Sequence, residues 1–286
     1  MREYESERSA NLAVGIGDLE ESLPPDWWKT LFTETYLTTD GDVTENEENT
    51  AQDIDILLGL LDLEPWHAIL DLCCGQGRHC IELARRGFGR VTGLDYSDFL
   101  LPLAHQRAAE RGLVPPLRFL RGDARTPPFA PRRFDTIISM GNSFGYFADL
   151  NDDIQVLTGI AGLLRNGGRL FLDLIDGELL RKSFAAESSE WLDEDTQVRR
   201  ERVLTRSGKR LVSREVVHHQ DRGILADQIY AETLYSADDI RTMLKKTGFT
   251  DILLHRQTSV LSTRNEDLGM LAHRMIITAS RAQSPR

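Results

Sequence analysis

Ala68-Ile69-Leu70-Asp71-Leu72-Cys73-Cys74-Gly75-Gln76-Gly77-Arg78-His79 is an apolar run that breaks into a glycine-rich turn, and Cys80 to Arg86 continues it with helical spacing. Short continuous apolar runs read as buried parallel strands. A strand, a turn and a helix start form the place where an open α/β sheet binds its ligand. Gly75 and Gly77 carry no Cβ, so the backbone there can approach a ligand closely and take positive φ. The next unit ends in Arg90-Val91-Thr92-Gly93-Leu94-Asp95, a second strand with an acid at its C-terminal tip. An acid about 20 residues beyond the glycines is suited to accept hydrogen bonds from ribose hydroxyls. Together the two signals point to a nucleoside-bearing ligand.

Detail narrows the class. The dinucleotide fingerprint needs a third glycine where Cys80 stands, and a P-loop needs Lys-Ser or Lys-Thr where this chain has Arg78-His79. The stretch instead resembles the first motif of class I S-adenosylmethionine-dependent methyltransferases, an acid followed by G-x-G four residues on. Three later segments extend the resemblance in the expected order across residues 68–175. They are Arg121-Gly122-Asp123-Ala124, Phe134-Asp135-Thr136-Ile137-Ile138-Ser139-Met140 and Leu163-Leu164-Arg165-Asn166-Gly167-Gly168-Arg169-Leu170.

The resemblance implies an α/β fold with a seven-stranded, mostly parallel, doubly wound (Rossmann-like) sheet that ends in an antiparallel pair. It implies S-adenosylmethionine as cofactor and S-adenosylhomocysteine as product. Asp71 and Gly75 would lie near the methionine moiety, with Gly77 permitting approach at the turn. Asp95 would hold the ribose hydroxyls, with Tyr96 beside it in the cofactor set. Asp123 and the Ala124 N–H would meet the adenine, and the Met140 carbonyl would face the methionine amine. Taken singly, Asp71 could cap the turn, Asp95 could cap a helix and Asp123 could be a turn residue.

Met140-Gly141-Asn142-Ser143-Phe144-Gly145-Tyr146-Phe147 leaves the end of a strand, where acceptors sit in such sheets. Its Gly-Asn-Ser-Phe core is similar to the same segment of glycine N-methyltransferase-like enzymes, in which the Asn contacts the amino-acid substrate. A carboxamide both donates and accepts, which makes Asn142 the substrate-site candidate. The alternative is that Asn142 and Ser143 cap a turn and Phe144 is core. Tyr36 is similar to an aromatic residue that covers the cofactor in many small-molecule members. For a base, His218-His219 ends a strand, and adjacent strand residues point to opposite faces, so at most one faces a cleft. His218 is carried as the catalytic candidate, the alternative being a half-exposed strand end. Asp173 and Asp176 could orient an amine. No convincing metal ligand set is present, and none is expected.

The chain has 286 residues and a net charge of −11, which disfavours a nucleic-acid surface. Three cysteines, without paired C-x-x-C spacing, fit a reducing, cytoplasmic setting. The charged first residues and the lack of a long apolar stretch support neither a signal peptide nor a membrane span.

Periodicity divides the chain. Residues 1–63 hold a polar tail over 1–23, read as flexible or as an arm for a homo-oligomer. They also hold one amphipathic helix over Asp26–Leu37, an acidic loop over Thr39–Asn49, and a helix over about Thr50–Leu63. Residues 64–180 alternate strand and helix, with helices near 80–87, 97–111 and 151–165, and form the cofactor core. Residues 181–235 are an inserted antiparallel sheet over the acceptor site, with strands at 196–206, 210–219 and 224–235. Residues 236–286 complete the core with a helix beginning at Ser236-Ala237-Asp238-Asp239, capped by Gly248, and strands at 251–257 and 270–280.

The expected activity is methyl transfer from S-adenosylmethionine to a small molecule, at an amino group. O- or C-methylation, or intramolecular cyclisation or elimination on the cofactor itself, are the alternatives.

Overall fold

The computed structural model describes residues 16–113, 117–256 and 273–283. Seven strands form the main sheet in the order β10-β11-β5-β4-β1-β2-β3. They are β1 Ile69–Leu72, β2 Val91–Asp95, β3 Arg118–Arg121, β4 Phe134–Ser139, β5 Leu164–Ile175, β10 Phe249–Arg256 and β11 Arg274–Arg281. The β1–β2, β1–β4, β2–β3 and β4–β5 pairs are parallel, and β11 runs antiparallel to both β5 and β10. This is the expected doubly wound sheet. Ile69, Leu70, Asp71 and Leu72 are all buried because helices cover both faces, which is why β1 reads as a run rather than an alternation. Helices Arg78–Arg85, Leu100–Glu110 and Leu150–Leu163 lie within a few residues of the expected spans. The expected 270–280 strand begins at Arg274, and 270–272 lie outside the described residues.

A second, four-stranded antiparallel sheet has the order β6-β7-β8-β9, from Glu187–Trp191, Thr196–Leu204, Arg210–His219 and Gly223–Thr233. The sequence reading missed β6. Its segment Glu-Ser-Ser-Glu-Trp has no apolar face, because an edge strand is held by its ladder and by polar partners. Glu190 meets Arg200, and Ser188 accepts from Arg202 at 3.1 Å. Sheet periodicity assigns two faces. Arg202, Ser213 and Tyr230 share one row, as do Leu204, Leu211 and Glu232, while Val203, Val212 and Ala231 form the opposite row between them. Leu19, 1% exposed, seats on Val203, Val212 and Ala231. Within the span read as a flexible tail or an oligomer arm over 1–23, this part instead packs on the second sheet. Ile16–Ser22 is a helix, and residues 1–15 lie outside the described residues.

The Asp26–Leu37 helix is also corrected. A 3-10 turn at Trp27–Lys29 is followed by extended Thr33 and a helix at Glu34–Thr39. Neighbouring Trp27 and Trp28 pack on different walls, which one regular helix face would not allow. Trp27 meets Tyr146 and Tyr230 at 5.1 and 6.0 Å, and Trp28 meets Tyr96 and Phe147 at 4.9 and 5.4 Å between ring centres. The acidic loop contains a short helix, Gly41–Thr44. The next helix starts at Glu47 rather than Thr50, because the Asn46 side chain accepts from the Glu48 and Asn49 N–H groups. Ser236 and Asp239 form a capping box at Ala237–Lys246, as expected. Among the described residues no helix is long and apolar enough to cross a membrane.

Candidate active site

The chain turns at the end of β1 through positive φ at Cys73 (65°), Gly75 (53°) and Gly77 (79°). The Cys73 and Cys74 N–H groups donate to the Leu94 carbonyl at 2.8 and 3.0 Å, which fastens the turn to β2. Asp95, at the tip of β2, accepts from the Gly75 N–H at 2.7 Å and from the Ser97 N–H at 2.8 Å. Burial pushes its carboxyl up. Gly77 opens helix Arg78–Arg85, and a Cβ there would lie 2.8 Å from the Phe119 ring, so bulk is excluded as well as L geometry.

These elements border a cavity of about 290 Å³ that runs from Gly75, Asp95, Tyr96, Asp123, Ala124 and Met140 to the second sheet. Asp123 pairs with Arg125 at 2.6 Å, and although burial opposes ionisation, Arg125 holds its carboxyl below the usual range. The Arg125 guanidinium lies 4.5 Å from the Phe147 ring centre and 5.4 Å from that of Trp28. The Met140 carbonyl accepts from the Ser143 hydroxyl at 2.8 Å. Asp71 and Gly77 do not line the cavity. Asp71 lies beneath the turn, facing Cys80 Sγ at 3.4 Å, with its carboxyl pushed up by burial to about 7.

The cavity wall also carries Phe32, Tyr36, Tyr146 and Tyr230 together with Asp40, Arg200, Arg202, Ser213 and Glu232, while Trp28 stands with Tyr96, Phe147 and Arg125 beside Asp123. Burial raises the Tyr36, Tyr146 and Tyr230 phenols well above their ordinary range. Two sequence candidates lie elsewhere. Asn142 takes positive φ (59°), is 4% exposed and is not part of the cavity wall. Its side-chain oxygen accepts from the Ile175 N–H at 3.0 Å, and its backbone N–H donates to the Asp173 carbonyl at 3.1 Å. The short polar side chain that tolerates left-handed φ has been used to brace the loop. His218 is exposed near the end of β8 and does not reach the cavity. Glu232, Arg202 and Tyr230 were missed. Tyr230 and Glu232 lie on β9 and Arg202 on β7, the two strands that flank β8, and only the pairing of β7, β8 and β9 tells which parity faces inward.

Behind the wall lies a buried charge network. Arg274 donates to Asp173 at 3.0 and 2.7 Å and to Asp53 at 2.8 Å. Arg78 pairs with Asp53 at 2.9 Å and His79 lies 3.1 Å from it. Asp173 also accepts from the Gly141 N–H at 2.9 Å, which ties the network to the loop after β4. Burial and the adjacent Arg78 hold His79 down to about 4, so its ring is neutral at neutral pH. Among the described residues no group of three or more His, Cys, Asp or Glu is arranged to hold a metal ion.

Residues 69–168 match the family model described as a methyltransferase domain. The chain is 34% identical over 129 residues to glycine N-methyltransferase of Oryctolagus cuniculus, 41% of this chain and 43% of that protein. It thus spans less than half the length of that relative. A methyltransferase structure from Clostridium acetobutylicum, described as S-adenosylmethionine-dependent, superposes with a TM-score of 0.69 at 19% identity, covering 87% of this chain and 97% of that one. The S-adenosylmethionine-bound structure of CalS10, an amino pentose methyltransferase from Micromonospora echinaspora, gives a TM-score of 0.62 at 21% identity, covering 88% of this chain and 99% of that one. At these identities the two structures show a shared fold.

Proposed function

We propose that this chain, which belongs through residues 69–168 to the class I S-adenosylmethionine-dependent methyltransferases, methylates a small molecule at an amino nitrogen. The observation that carries the reading is one continuous cavity joining the Gly75–Asp95 turn to the inner face of the second sheet. Two reactants held in one enclosed space gain about 7–11 kcal/mol from positioning, the main requirement of an in-line displacement.

The turn fits the cofactor. Gly75 presents no side chain to the cavity, the Asp95 carboxylate is suited to hydroxyl groups, and Ala124 and Tyr96 offer apolar surface. When bound, S-adenosylmethionine supplies an electrophilic methyl on a sulfonium. Tyr36, Tyr146 and Tyr230 offer ring faces that attract cations, while Asp40 and Glu232 share the wall with Arg202 and with Arg200, whose charge is matched by Glu190 and Glu215. The ring faces support an amine over a hydroxyl acceptor. The names of the glycine N- and amino pentose methyltransferases agree with that choice. Residues 181–235 act as the roof over the acceptor, and Asn142 serves as a brace for the loop beneath it.

The test is calorimetry with S-adenosylmethionine and S-adenosylhomocysteine, followed by mass analysis after incubation with pooled amines, amino acids and phenols. The expected result is binding of both cofactor forms and an amine product heavier by one methylene unit. Methylated phenols alone would move the acceptor class to hydroxyls, and release of methylthioadenosine would replace transfer by intramolecular chemistry on the cofactor. Asp95→Ala is expected to weaken S-adenosylhomocysteine binding about 10–100-fold, since a charged hydrogen bond contributes about 1.5–3 kcal/mol. Unchanged affinity would remove Asp95 from the ribose site.

A further inference from the structure

Glu232 is a carboxyl that the fold leaves incompletely matched. It is 3% exposed, lines the cavity, and its Oε2 has no hydrogen-bond partner. Buried polar atoms are nearly always satisfied, so an orphaned carboxyl oxygen on a residue that lines the cavity is a place for a donor that the protein does not supply. The rest of the group is held in place. Asn142 hydrogen-bonds to it, and Asn142 is itself fixed by the Ile175 N–H.

Its surroundings come from every wall. Arg202 of β7 and Arg210 of β8 favour the carboxylate, while Asp40 disfavours it. Tyr146 and Tyr230 face it with phenols that stay neutral. Arg202 is partly engaged by the Ala185 carbonyl and Ser188 hydroxyl, both at 3.1 Å, and Arg210 by the Tyr146 carbonyl at 3.2 Å. Burial outweighs the two arginines and raises the Glu232 carboxyl to about 7. A carboxyl balanced there changes charge at the pH where it works, the condition for an efficient proton acceptor.

We propose that Glu232 receives the acceptor as an ammonium ion and takes its proton through Oε2. This rests on the amine reading above and deepens it. The ammonium N–H bond breaks, its electron pair stays on nitrogen as the nucleophilic lone pair, and the proton forms an O–H bond on Glu232. The proton leaves to solvent when the site reopens. An alkyl ammonium resembles a lysine, with a pKa near about 10.4, so without such a group only about one molecule in 10³ is neutral at neutral pH. Asp153 also lines the cavity and its Oδ1 is likewise without a partner, but it accepts from Tyr235 at 2.6 Å and stands on the Leu150–Leu163 helix rather than on the second sheet, where the tyrosine rings Tyr146 and Tyr230 face Glu232.

The first readout needs no turnover. Infrared titration of the S-adenosylhomocysteine complex, taken as wild type minus Glu232→Gln, is expected to show one carboxyl stretch disappearing near neutral pH. Adding trimethylammonium chloride should move that midpoint to lower pH, because a cation at Oε2 favours the ionised form. The second readout is kcat/KM against pH with the amine the pooled assay identifies. It should rise with a midpoint near neutrality in the wild type. In Glu232→Gln it should fall about 10²–10⁴-fold at neutral pH and recover toward the pKa of the free amine, with S-adenosylhomocysteine affinity retained. Glu232→Asp should restore part of the profile, and it carries the test if the Gln variant does not fold. A carboxyl ionised throughout the neutral range, or unmoved by trimethylammonium, overturns the proposal, as does an unchanged pH profile. If the infrared response is present while no amine is methylated, the cation site stands and the functional reading fails.

Discussion

Arg274→Ala is expected to destabilise the protein by about 3–5 kcal/mol, the range for breaking a buried ion pair from one side. Arg274 is 8% exposed and holds Asp173 with a two-pronged contact and Asp53 with its remaining nitrogen. Its loss leaves Asp173, 1% exposed, without its cation. At about 2–4 °C per kcal/mol for a chain approaching this size, thermal unfolding should occur roughly 10 °C earlier. Arg274→Lys should recover only part, since an ammonium cannot form the planar pair.

The sign with pH is defined. Burial alone would raise Asp53, but His79, Arg78 and Arg274 together draw it well below the ordinary carboxylate range. A depressed carboxylate stabilises above its unfolded pKa, and that contribution disappears as pH falls through the folded value. The gap between wild type and Arg274→Ala should therefore be full at neutral pH and narrow below about pH 4. A gap that widened in acid would mean that the pairing is not what Arg274 contributes. Because Asp173 also accepts from Gly141, the variant should weaken acceptor turnover through the loop after β4 as well as lower stability.

Gly177→Ala is expected to be comparably severe for a steric reason. A Cβ on Gly177 would stand 2.4 Å from the Leu234 carbonyl carbon and 2.7 Å from its Cα and oxygen. Those are backbone atoms and no rotamer change relieves them. Gly177 N–H also donates to the Tyr235 carbonyl at 2.9 Å, where the chain leaves β5 and where it returns after β9. Overpacking costs about 1–3 kcal/mol where side chains can yield, and this site has less freedom than that. The expected result is a large fall in unfolding temperature and loss of acceptor turnover exceeding loss of S-adenosylhomocysteine affinity, because the second sheet shifts relative to the turn. Gly162→Ala is the control. It lies exposed in the Leu150–Leu163 helix with nothing within 4 Å of the added methyl, and should stabilise by about 0.5–1 kcal/mol. Equal effects from both variants would remove the steric argument.

The structure places Asn142 and His218 away from the cavity wall for specific reasons. Asn142 is a residue that both reads a ligand and tolerates a left-handed turn, and its sequence neighbours look the same in either case. The Ile175 N–H that captures its side chain belongs to β5, so the bracing role is invisible without the fold. His218 looked available because it ends a strand, yet its position near the tip of β8 places it in solvent. The N-terminal aromatics were read as one helix because Trp28, Phe32 and Tyr36 fall four apart. Their partners are on the main core and the second sheet, and packing against both broke the helix in two.

What the sequence by itself determined is local in origin. The apolar run before Gly75, the acid ending β2 and the alternation of strand and helix specify a parallel sheet and its ligand end, because each signal lies within one short segment and follows backbone geometry. The tertiary structure alone decided the end of the cavity bordered by the second sheet. Leu204, Leu211 and Glu232 come together by strand pairing, and a slip of one residue would turn Glu232 to the other face and Ala231 inward. The same holds for Arg274, Asp53 and Asp173, far apart in the chain and joined only when β11 pairs with β5 and the Glu47–Leu60 helix closes over them. Their charges are tolerated in the interior because they meet there, and no local pattern records that meeting.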